Sequence, residues 1–167
     1  SRNTGDFSFL AGSMSCTGPT TVNAGTLVIN STSAASSTTV ASDATLGGTG
    51  TLTGTLTVNA GGSLAPGAGA GTITAGSTVL GGTYRCEIDG PSADRLTVNG
   101  SLDITGATLG FSVLAAPAAD SYVLASYTTA LTGTFAAVTG LPAGYAVKYD
   151  GDAKQIKLVK AGFAAWA

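Results

Sequence analysis

The chain has 167 residues, of which 7 are basic and 9 are acidic, and it contains no histidine. This length fits one domain, and the missing histidine excludes Ser-His-Asp triads, Cys-His pairs and histidine metal ligands. The scattered basic residues form no stripe that could neutralise phosphates, and no apolar run approaches the ~20 residues that span a bilayer. We therefore expect no nucleic-acid partner, no membrane span and no cofactor or metal.

Residues 1–16 form an N-terminal segment ahead of the first repeat. This segment contains three large apolar residues, Phe7, Phe9 and Leu10. Because no capping helix precedes the first repeat, these side chains are candidate contacts with a neighbouring copy of the chain. The alternative is that the segment folds onto its own chain.

Residues 17–113 contain a short internal repeat. The segment Thr-Val-Asn-Ala-Gly-Thr-Leu at 21–27 returns as Thr-Val-Asn-Ala-Gly-Gly-Ser-Leu at 57–64 and as Thr-Val-Asn-Gly-Ser-Leu at 97–102. A period near twenty is typical of one turn of a solenoid. Valines recur at this period, 18 to 21 residues apart, at Val22, Val40, Val58, Val79 and Val98.

Each repeat holds two or three short runs of β-branched residues that alternate with small polar ones, which predicts short strands on every side of the coil. The pairs Gly47-Gly48, Gly61-Gly62 and Gly81-Gly82 are expected to supply positive φ angles at tight corners. Successive turns would stack about 4.8 Å apart, with each repeat valine above the last. Inward Val and Leu would then form apolar ladders, and outward Thr and Ser would keep the surface wet.

Three stretches carry a family resemblance: Thr-Thr-Val-Asn-Ala-Gly-Thr-Leu-Val-Ile-Asn at 20–30, Leu-Gly-Gly-Thr-Gly-Thr-Leu at 46–52 and Gly-Gly-Ser-Leu-Ala-Pro-Gly at 61–67. Together they resemble the autotransporter-associated β-strand repeat of large bacterial surface proteins. The resemblance implies a right-handed parallel β-helix, secretion, and an extracellular or cell-surface role. The fold class is accordingly an all-β, right-handed parallel β-helix (β-solenoid) with an antiparallel C-terminal cap.

The two cysteines, Cys16 and Cys86, lack the close pairing of a zinc or thioredoxin site. They are either one disulfide, formed in an oxidising compartment, or two thiols. About three turns separate them, or roughly 15 Å of rise, whereas a disulfide allows ~7 Å between Cα atoms. We expect no bridge within one regular coil, so a bridge requires the N-terminal segment to fold back or a partner cysteine in another subunit.

Three carboxylates are the strongest candidates for chemistry. Glu87 and Asp89 lie two apart on one predicted strand, and with Asp94 they resemble the paired acids of a polysaccharide-degrading β-helix enzyme. The interpretation that we favour is a surface ion-pair cluster in which Arg85 and Arg95 neutralise the acidic group. We therefore assign no catalytic residue.

Residues 114–160 are predicted to form a cap of antiparallel strands, because the end of a solenoid must cover unpaired backbone. Asp150-Gly151, between the runs 145–149 and 155–159, predicts a tight hairpin with positive φ. The segment Asp150-Gly151-Asp152 lacks the further ligands of a calcium loop, and the glycine-rich segment 67–71 lacks the ending of a phosphate loop, so both are predicted to be structural. A small basic patch on the hairpin is a solvated face or a site for an acidic glycan, and it consists of Lys148, Lys154, Lys157 and Lys160.

Residues 161–167 form an apolar tail whose Phe163 and Trp166 complete the set of candidate self-assembly contacts. The sequence thus predicts a non-catalytic, secreted structural or adhesive β-solenoid of the bacterial cell surface. We expect a homo-oligomer or fibre joined through the solenoid ends, with a surface glycan as a candidate partner. The alternatives are a polysaccharide-degrading β-helix enzyme and a passive folding segment of a larger autotransporter-like passenger.

Overall fold

The computed structural model describes residues 2–3, 7–9, 17–67 and 69–161, with the backbone alone at residues 2–3 and 7–9. Nearly all of the regular structure is β-strand. In chain order the strands are β1 (Arg2–Asn3), β2 (Phe7–Phe9), β3 (Thr20–Val22), β4 (Gly25–Ile29), β5 (Thr32–Ser33), β6 (Ser37–Val40), β7 (Ala44–Gly48), β8 (Thr51–Leu52), β9 (Thr55–Val58), β10 (Ser63–Pro66), β11 (Thr72–Ala75), β12 (Thr78–Leu80), β13 (Thr83–Asp89), β14 (Ser92–Ala93), β15 (Arg95–Val98), β16 (Leu102–Asp103), β17 (Thr108–Ala115), β18 (Ser121–Tyr127), β19 (Leu131–Thr132), β20 (Ala137–Thr139), β21 (Tyr145–Asp150) and β22 (Gln155–Lys160).

The strands form three sheets, and a full coil contributes one strand to each sheet. Sheet A has the order β1-β3-β6-β9-β12-β16-β19, and sheet B has the order β2-β4-β7-β10-β13-β17-β20, with β14 beside β13. Sheet C has the order β5-β8-β11-β15-β18-β22-β21. Successive coils pair in parallel in all three sheets, as between β3 and β6, β4 and β7, and β5 and β8. The predicted parallel β-helix, with strands on every side of the coil, is confirmed.

The inward side chains of the three sheets form one apolar core. On sheet A, Val22, Val40 and Val58 lie in register on successive coils and are at most 1% exposed. On sheet B the equivalent ladder is leucine, with Leu27 beside Leu46. Because parallel pairing places equivalent residues directly above one another, one apolar choice at an inward position is repeated along the whole axis.

Two of the five repeat valines do not join the predicted ladder. Val79 points outward and is 49% exposed, because it is Leu80 that pairs with Val58. Val98 lies on sheet C, where it pairs with Ala75. For Val79 the prediction was wrong because its spacing from Val58 is longer than 18 residues. A shift of one residue in a strand moves a side chain to the opposite face.

The glycine pairs have two different structural roles. Gly48 and Gly61 have φ angles of 103° and 86°, as predicted for corners. Gly82 has no positive φ, but a Cβ placed there would lie 2.2 Å from the carbonyl oxygen of Gly62 on the coil below. At Gly82 the sequence therefore requires glycine for the close approach of two backbones rather than for its φ angle.

The antiparallel cap is shorter than predicted. Residues 114–160 were expected to form antiparallel strands throughout, but β18, β19 and β20 still pair in parallel with the preceding coil. Only β22 and β21 are antiparallel, and they extend sheet C beyond β18. The Thr-Val-Asn motif is absent from these strands, but the coil continues. It does so because inward residues of β18 stay buried, as at Tyr122, Leu124 and Tyr127.

The β21–β22 hairpin closes part of the C-terminal end of the core. Its connection is longer than the predicted tight turn, because Asp150 pairs with Gln155 and the positive φ falls on Lys154 rather than on Gly151. The ring of Tyr145 packs 6.1 Å from that of Tyr122 between ring centres. The aromatic side chains thus cover apolar surface at this end.

The N-terminal segment adds strands to its own chain. The backbone of β2 pairs in parallel with β4, and that of β1 pairs with β3. These two strands begin sheets A and B one coil ahead of β5, the first described strand of sheet C. Of the candidate assembly contacts, Phe7 and Phe9 lie in β2, whereas Leu10, Phe163 and Trp166 lie outside the described residues.

We predict that Gly82→Ala lowers the free energy of unfolding by about 2 kcal/mol or more, because the new methyl group forces two stacked backbones apart. The matched control is Gly81→Ala, where the nearest atom to a Cβ is the Val58 carbonyl oxygen at 3.3 Å. There the lower entropy of the unfolded chain offsets the contact, and we expect a change below about 1 kcal/mol. Urea denaturation of the two variants measures the difference, and equal losses would contradict the close-approach explanation.

Candidate functional site

The candidate carboxylates lie where the chain leaves the regular coil. Strand β13 is longer than the preceding strands of sheet B, and it turns back through β14 in an antiparallel hairpin. Glu87 and Asp89 lie on β13, with Glu87 half-buried and Asp89 exposed. Asp94 follows β14 and is only 1% exposed. The structure therefore places the three acids in three different environments.

Asp94 binds backbone N–H groups with both of its carboxylate oxygens. Oδ1 accepts a hydrogen bond from the N–H of Gly71 at 2.8 Å, and Oδ2 accepts one from the N–H of Glu87 at 2.9 Å. The N–H of Asp94 in turn donates to the carbonyl oxygen of Glu87. A buried carboxylate with two such partners joins the β13–β14 hairpin to the loop of the preceding coil.

The side chain of Glu87 also accepts a hydrogen bond from the backbone of a neighbouring loop. Its Oε2 accepts a hydrogen bond from the N–H of Gly69 at 2.5 Å. Gly69 and Gly71 belong to the glycine-rich segment 67–71 and lie outside the strands, so their N–H groups need partners from elsewhere. This connection was not predicted, although the separations of 18 and 23 residues are close to one coil of the repeat.

The predicted ion-pair cluster is not formed. No salt bridge within residues 17–67 and 69–161 joins Arg85 or Arg95 to the three carboxylates. Arg95 begins β15 of sheet C, where its Nη2 donates to Ser126 Oγ at 3.1 Å, whereas Arg85 is exposed on sheet B. For Arg95 the prediction was wrong because β15 places this residue on sheet C, whereas Glu87 and Asp89 lie on β13 of sheet B.

A shallow groove beside Arg95 has a volume of about 260 Å³. Its walls include Thr72 of β11, Arg95 of β15 and Ser121 of β18, which are three neighbouring strands of sheet C. None of the three candidate carboxylates lines it. This groove therefore does not provide the paired acids that glycoside hydrolysis requires.

Burial governs the protonation of Asp94. Removal of the carboxyl group from water raises its pKa to about 7, although the hydrogen bonds from Glu87 and Gly71 oppose the shift. The negative charge of Glu87 adds to the upward shift. Hydrogen bonds instead lower the pKa values of Asp103 and Asp150.

Cys86 is a buried free thiol. Its side chain is 0% exposed on β13, and Sγ donates to the carbonyl oxygen of Asp94 at 3.6 Å. Burial raises the pKa of the thiol far above its ordinary value, and the charge of Asp94 acts in the same direction. Cys16 lies outside the described residues, so the proposed alternatives for a bridge remain predictions.

Three of the four lysines of the hairpin, Lys154, Lys157 and Lys160, have partners within the chain. Lys157 pairs with Asp150 at 2.8 Å, and Lys160 pairs with Asp120 at 2.7 Å. Lys154 donates to the carbonyl oxygen of Thr128. Asp150 also accepts the N–H of Ala153 in its own turn, and the hydrogen bond from Lys157 lowers the pKa of its carboxyl group. These contacts stabilise a charged turn. Within the described residues, no group of three or more metal-ligating side chains comes together.

Neither the family models nor the curated proteins contain a match to this chain. Within the described residues, no helix is both long enough and apolar enough to cross a membrane.

We predict that the free energy of unfolding falls as the pH rises from about 4 to about 7. A carboxyl group whose pKa is higher in the folded state stabilises the fold below its unfolded pKa, and that contribution is lost as the pH passes the folded pKa. For the shift of Asp94 to about 7, the loss amounts to about 4 kcal/mol. Urea denaturation at a series of pH values measures this slope.

Two variants identify the group responsible for the slope. Asp94→Asn should flatten the dependence between pH 4 and 7, because no titrating group remains at that position. Asp103→Asn is the control, because a hydrogen bond from the N–H of Thr105 lowers the pKa of Asp103 and its contribution falls below that window. An unchanged slope in Asp94→Asn would contradict the assignment.

Proposed function

We propose that this chain is a non-catalytic, secreted structural or adhesive β-solenoid of the bacterial cell surface. The observation that carries the proposal is the set of hydroxyl columns on the outer faces of the coil. On sheet A, Thr21, Thr39 and Thr57 lie in register and point outward, opposite to the inward valines. Such columns allow many equivalent, weak contacts along one axis and no single reactive group.

Sheet B carries a second hydroxyl column in register along five coils, composed of Thr26, Thr45, Ser63, Thr83 and Thr108, of which Ser63 is buried. A groove of about 320 Å³ also crosses several coils of sheet A, with Thr57, Ser77 and Ser101 among its lining residues. Hydroxyl groups both donate and accept hydrogen bonds, which suits a hydroxyl-rich polysaccharide. A surface glycan is therefore the partner class that these faces fit best.

The hydrogen bonds of the carboxylates support a non-catalytic role. Glu87 and Asp94 accept hydrogen bonds from the backbone of the 67–71 loop, and both oxygens of Asp94 are occupied. A general acid or nucleophile must be able to reach a substrate atom. Secretion and surface location rest on the resemblance of the repeat to bacterial surface proteins.

We predict no turnover of neutral or acidic polysaccharides by the purified protein. The rival function, a β-helix polysaccharidase, predicts turnover that disappears in Glu87→Gln. This variant keeps an oxygen that can accept the N–H of Gly69, so its fold is preserved. Reducing-end and unsaturated-product assays over a polysaccharide panel measure the activity, and circular dichroism checks the fold. Turnover by the wild type that is lost in a folded Glu87→Gln protein would overturn the proposed function.

A further inference from the structure

Arg95 is a positively charged side chain without an acidic partner in the described part of the chain. Its Nη2 donates to Ser126 Oγ, whereas its Nε is buried and has no hydrogen-bond partner among the described residues. Neither salt bridge of residues 17–67 and 69–161 includes Arg95. A guanidinium has five N–H donors and stays charged at physiological pH, so Arg95 retains both charge and donors for a further partner.

The acidic residues that flank Arg95 and its groove along the chain already have partners. Asp94, which precedes Arg95, is buried and accepts two backbone N–H groups. Asp120, which precedes the groove residue Ser121, pairs with Lys160 at 2.7 Å. The described residues therefore leave the charge of Arg95 to be neutralised by another group.

Arg95 lines the groove of about 260 Å³ on the outer face of sheet C. Thr72 lies in register with Arg95 on the preceding coil, and Ser121 and Val123 lie on the following strand, β18. Pockets for drug-sized ligands have volumes of about 300–1,000 Å³. The groove is smaller, so it fits one polar unit, such as a single sugar ring, rather than a whole oligomer.

The β13–β14 hairpin forms another wall of the groove and is held in place by hydrogen bonds. Pro91 and Ala93 line the groove from this hairpin. At its turn, the carbonyl oxygen of Gly90 accepts hydrogen bonds from the hydroxyl of Tyr122 and from the N–H of Ala118. A wall that is fixed before binding reduces the entropy lost when a ligand is bound.

A column of outward hydroxyl groups crosses sheet C beside the groove. It consists of five residues in register on successive strands, Thr32, Thr51, Thr74, Thr97 and Ser126. Arg95 lies two residues before Thr97, on the same outward face, and it is the one charged residue in β5, β8, β11 and β15. This face therefore combines a single cation with a row of groups that donate and accept hydrogen bonds.

We propose that the Arg95 groove binds the carboxylate of a uronic acid unit in an acidic polysaccharide. The planar guanidinium matches the geometry of a carboxylate, and neighbouring sugars lie along the hydroxyl column. One carboxylate charge on a sugar unit matches the single cation of this face. The inference rests on the proposed structural or adhesive role and names the class of its glycan partner. It also moves the acidic-glycan site from the lysine patch, where three lysines have internal partners, to Arg95.

Two pairs of variants test the site independently. Arg95→Gln removes the positive charge, and its matched control is Arg85→Gln, because Arg85 is exposed on sheet B and does not line the groove. Thr72→Glu keeps Arg95 but supplies a competing carboxylate on the adjacent strand, in register with Arg95. Thr72→Gln has the same size without the charge. Because Thr72 is exposed, the second pair tests the site even where Arg95→Gln does not fold.

Calorimetric titration with an oligomer of four galacturonate units measures binding, and the matched galactose oligomer and its sulfate ester are the comparison probes. We expect the wild type to bind the galacturonate oligomer at least tenfold more tightly than either comparison probe, and less tightly as salt is raised. Arg95→Gln and Thr72→Glu should lose about tenfold or more in affinity, because a charge-assisted hydrogen bond is lost. Arg85→Gln and Thr72→Gln should bind like the wild type.

Four results would overturn the proposal: no binding of the galacturonate oligomer by the wild type, preference for the sulfate ester, equal losses in Arg85→Gln and Arg95→Gln, or unchanged affinity in a folded Thr72→Glu protein. None of these failures would establish catalysis. Only the polysaccharide assay with Glu87→Gln tests the proposed non-catalytic role itself, so the two outcomes remain distinguishable.

Discussion

The parallel pairing of each coil with the coils above and below it is the constraint on which the rest of this structure depends. Because the backbone groups of a strand bond along the axis, residues at equivalent positions stack directly on one another. An inward position must then be apolar on every coil, as at Val22, Val40 and Val58. An outward position must tolerate stacking on its own kind, and threonine does so without the repulsion of a column of like charges. The same constraint accounts for the low content of charged residues, which is 10% of the chain.

Where the chain departs from the regular coil, backbone N–H groups need hydrogen-bond partners other than the neighbouring strands. Beyond Gly67 the N–H groups of Gly69 and Gly71 bond to the carboxylates of Glu87 and Asp94 rather than to a neighbouring coil. The acids that most resembled catalytic residues in the sequence therefore complete the hydrogen bonding of an irregular coil. Burying a carboxyl group in this arrangement costs free energy because it loses its contact with water. The raised pKa of Asp94 reflects that cost.

Much of the fold could be predicted from the sequence, because the stacking constraint appears directly as a repeat. Val22, Val40 and Val58 recur at a constant spacing and were placed correctly. Val79 was not, since its coil is longer and the valine pattern alone does not reveal which of two adjacent residues faces inward. The extent of the parallel coil was also missed, because β18 keeps buried inward positions, and β19 and β20 keep the parallel pairing, without the repeat motif. At the candidate site, the pairing of Arg95 with Ser126 depends on which sheet each strand joins, and local sequence does not encode that assignment.

The register between coils is the central claim, and engineered disulfide formation tests it most directly. In a Cys16→Ser background, Thr39→Cys with Thr57→Cys places two outward thiols in register on neighbouring coils, with Cα atoms about 4.8 Å apart. Thr39→Cys with Thr55→Cys places them on the same face but diagonally, about 8 Å apart and outside the range of a disulfide. The structure predicts rapid intramolecular bridging of the first pair under mild oxidation and little bridging of the second. Equal bridging of both pairs, or bridging of the second pair alone, would contradict the stacked coil.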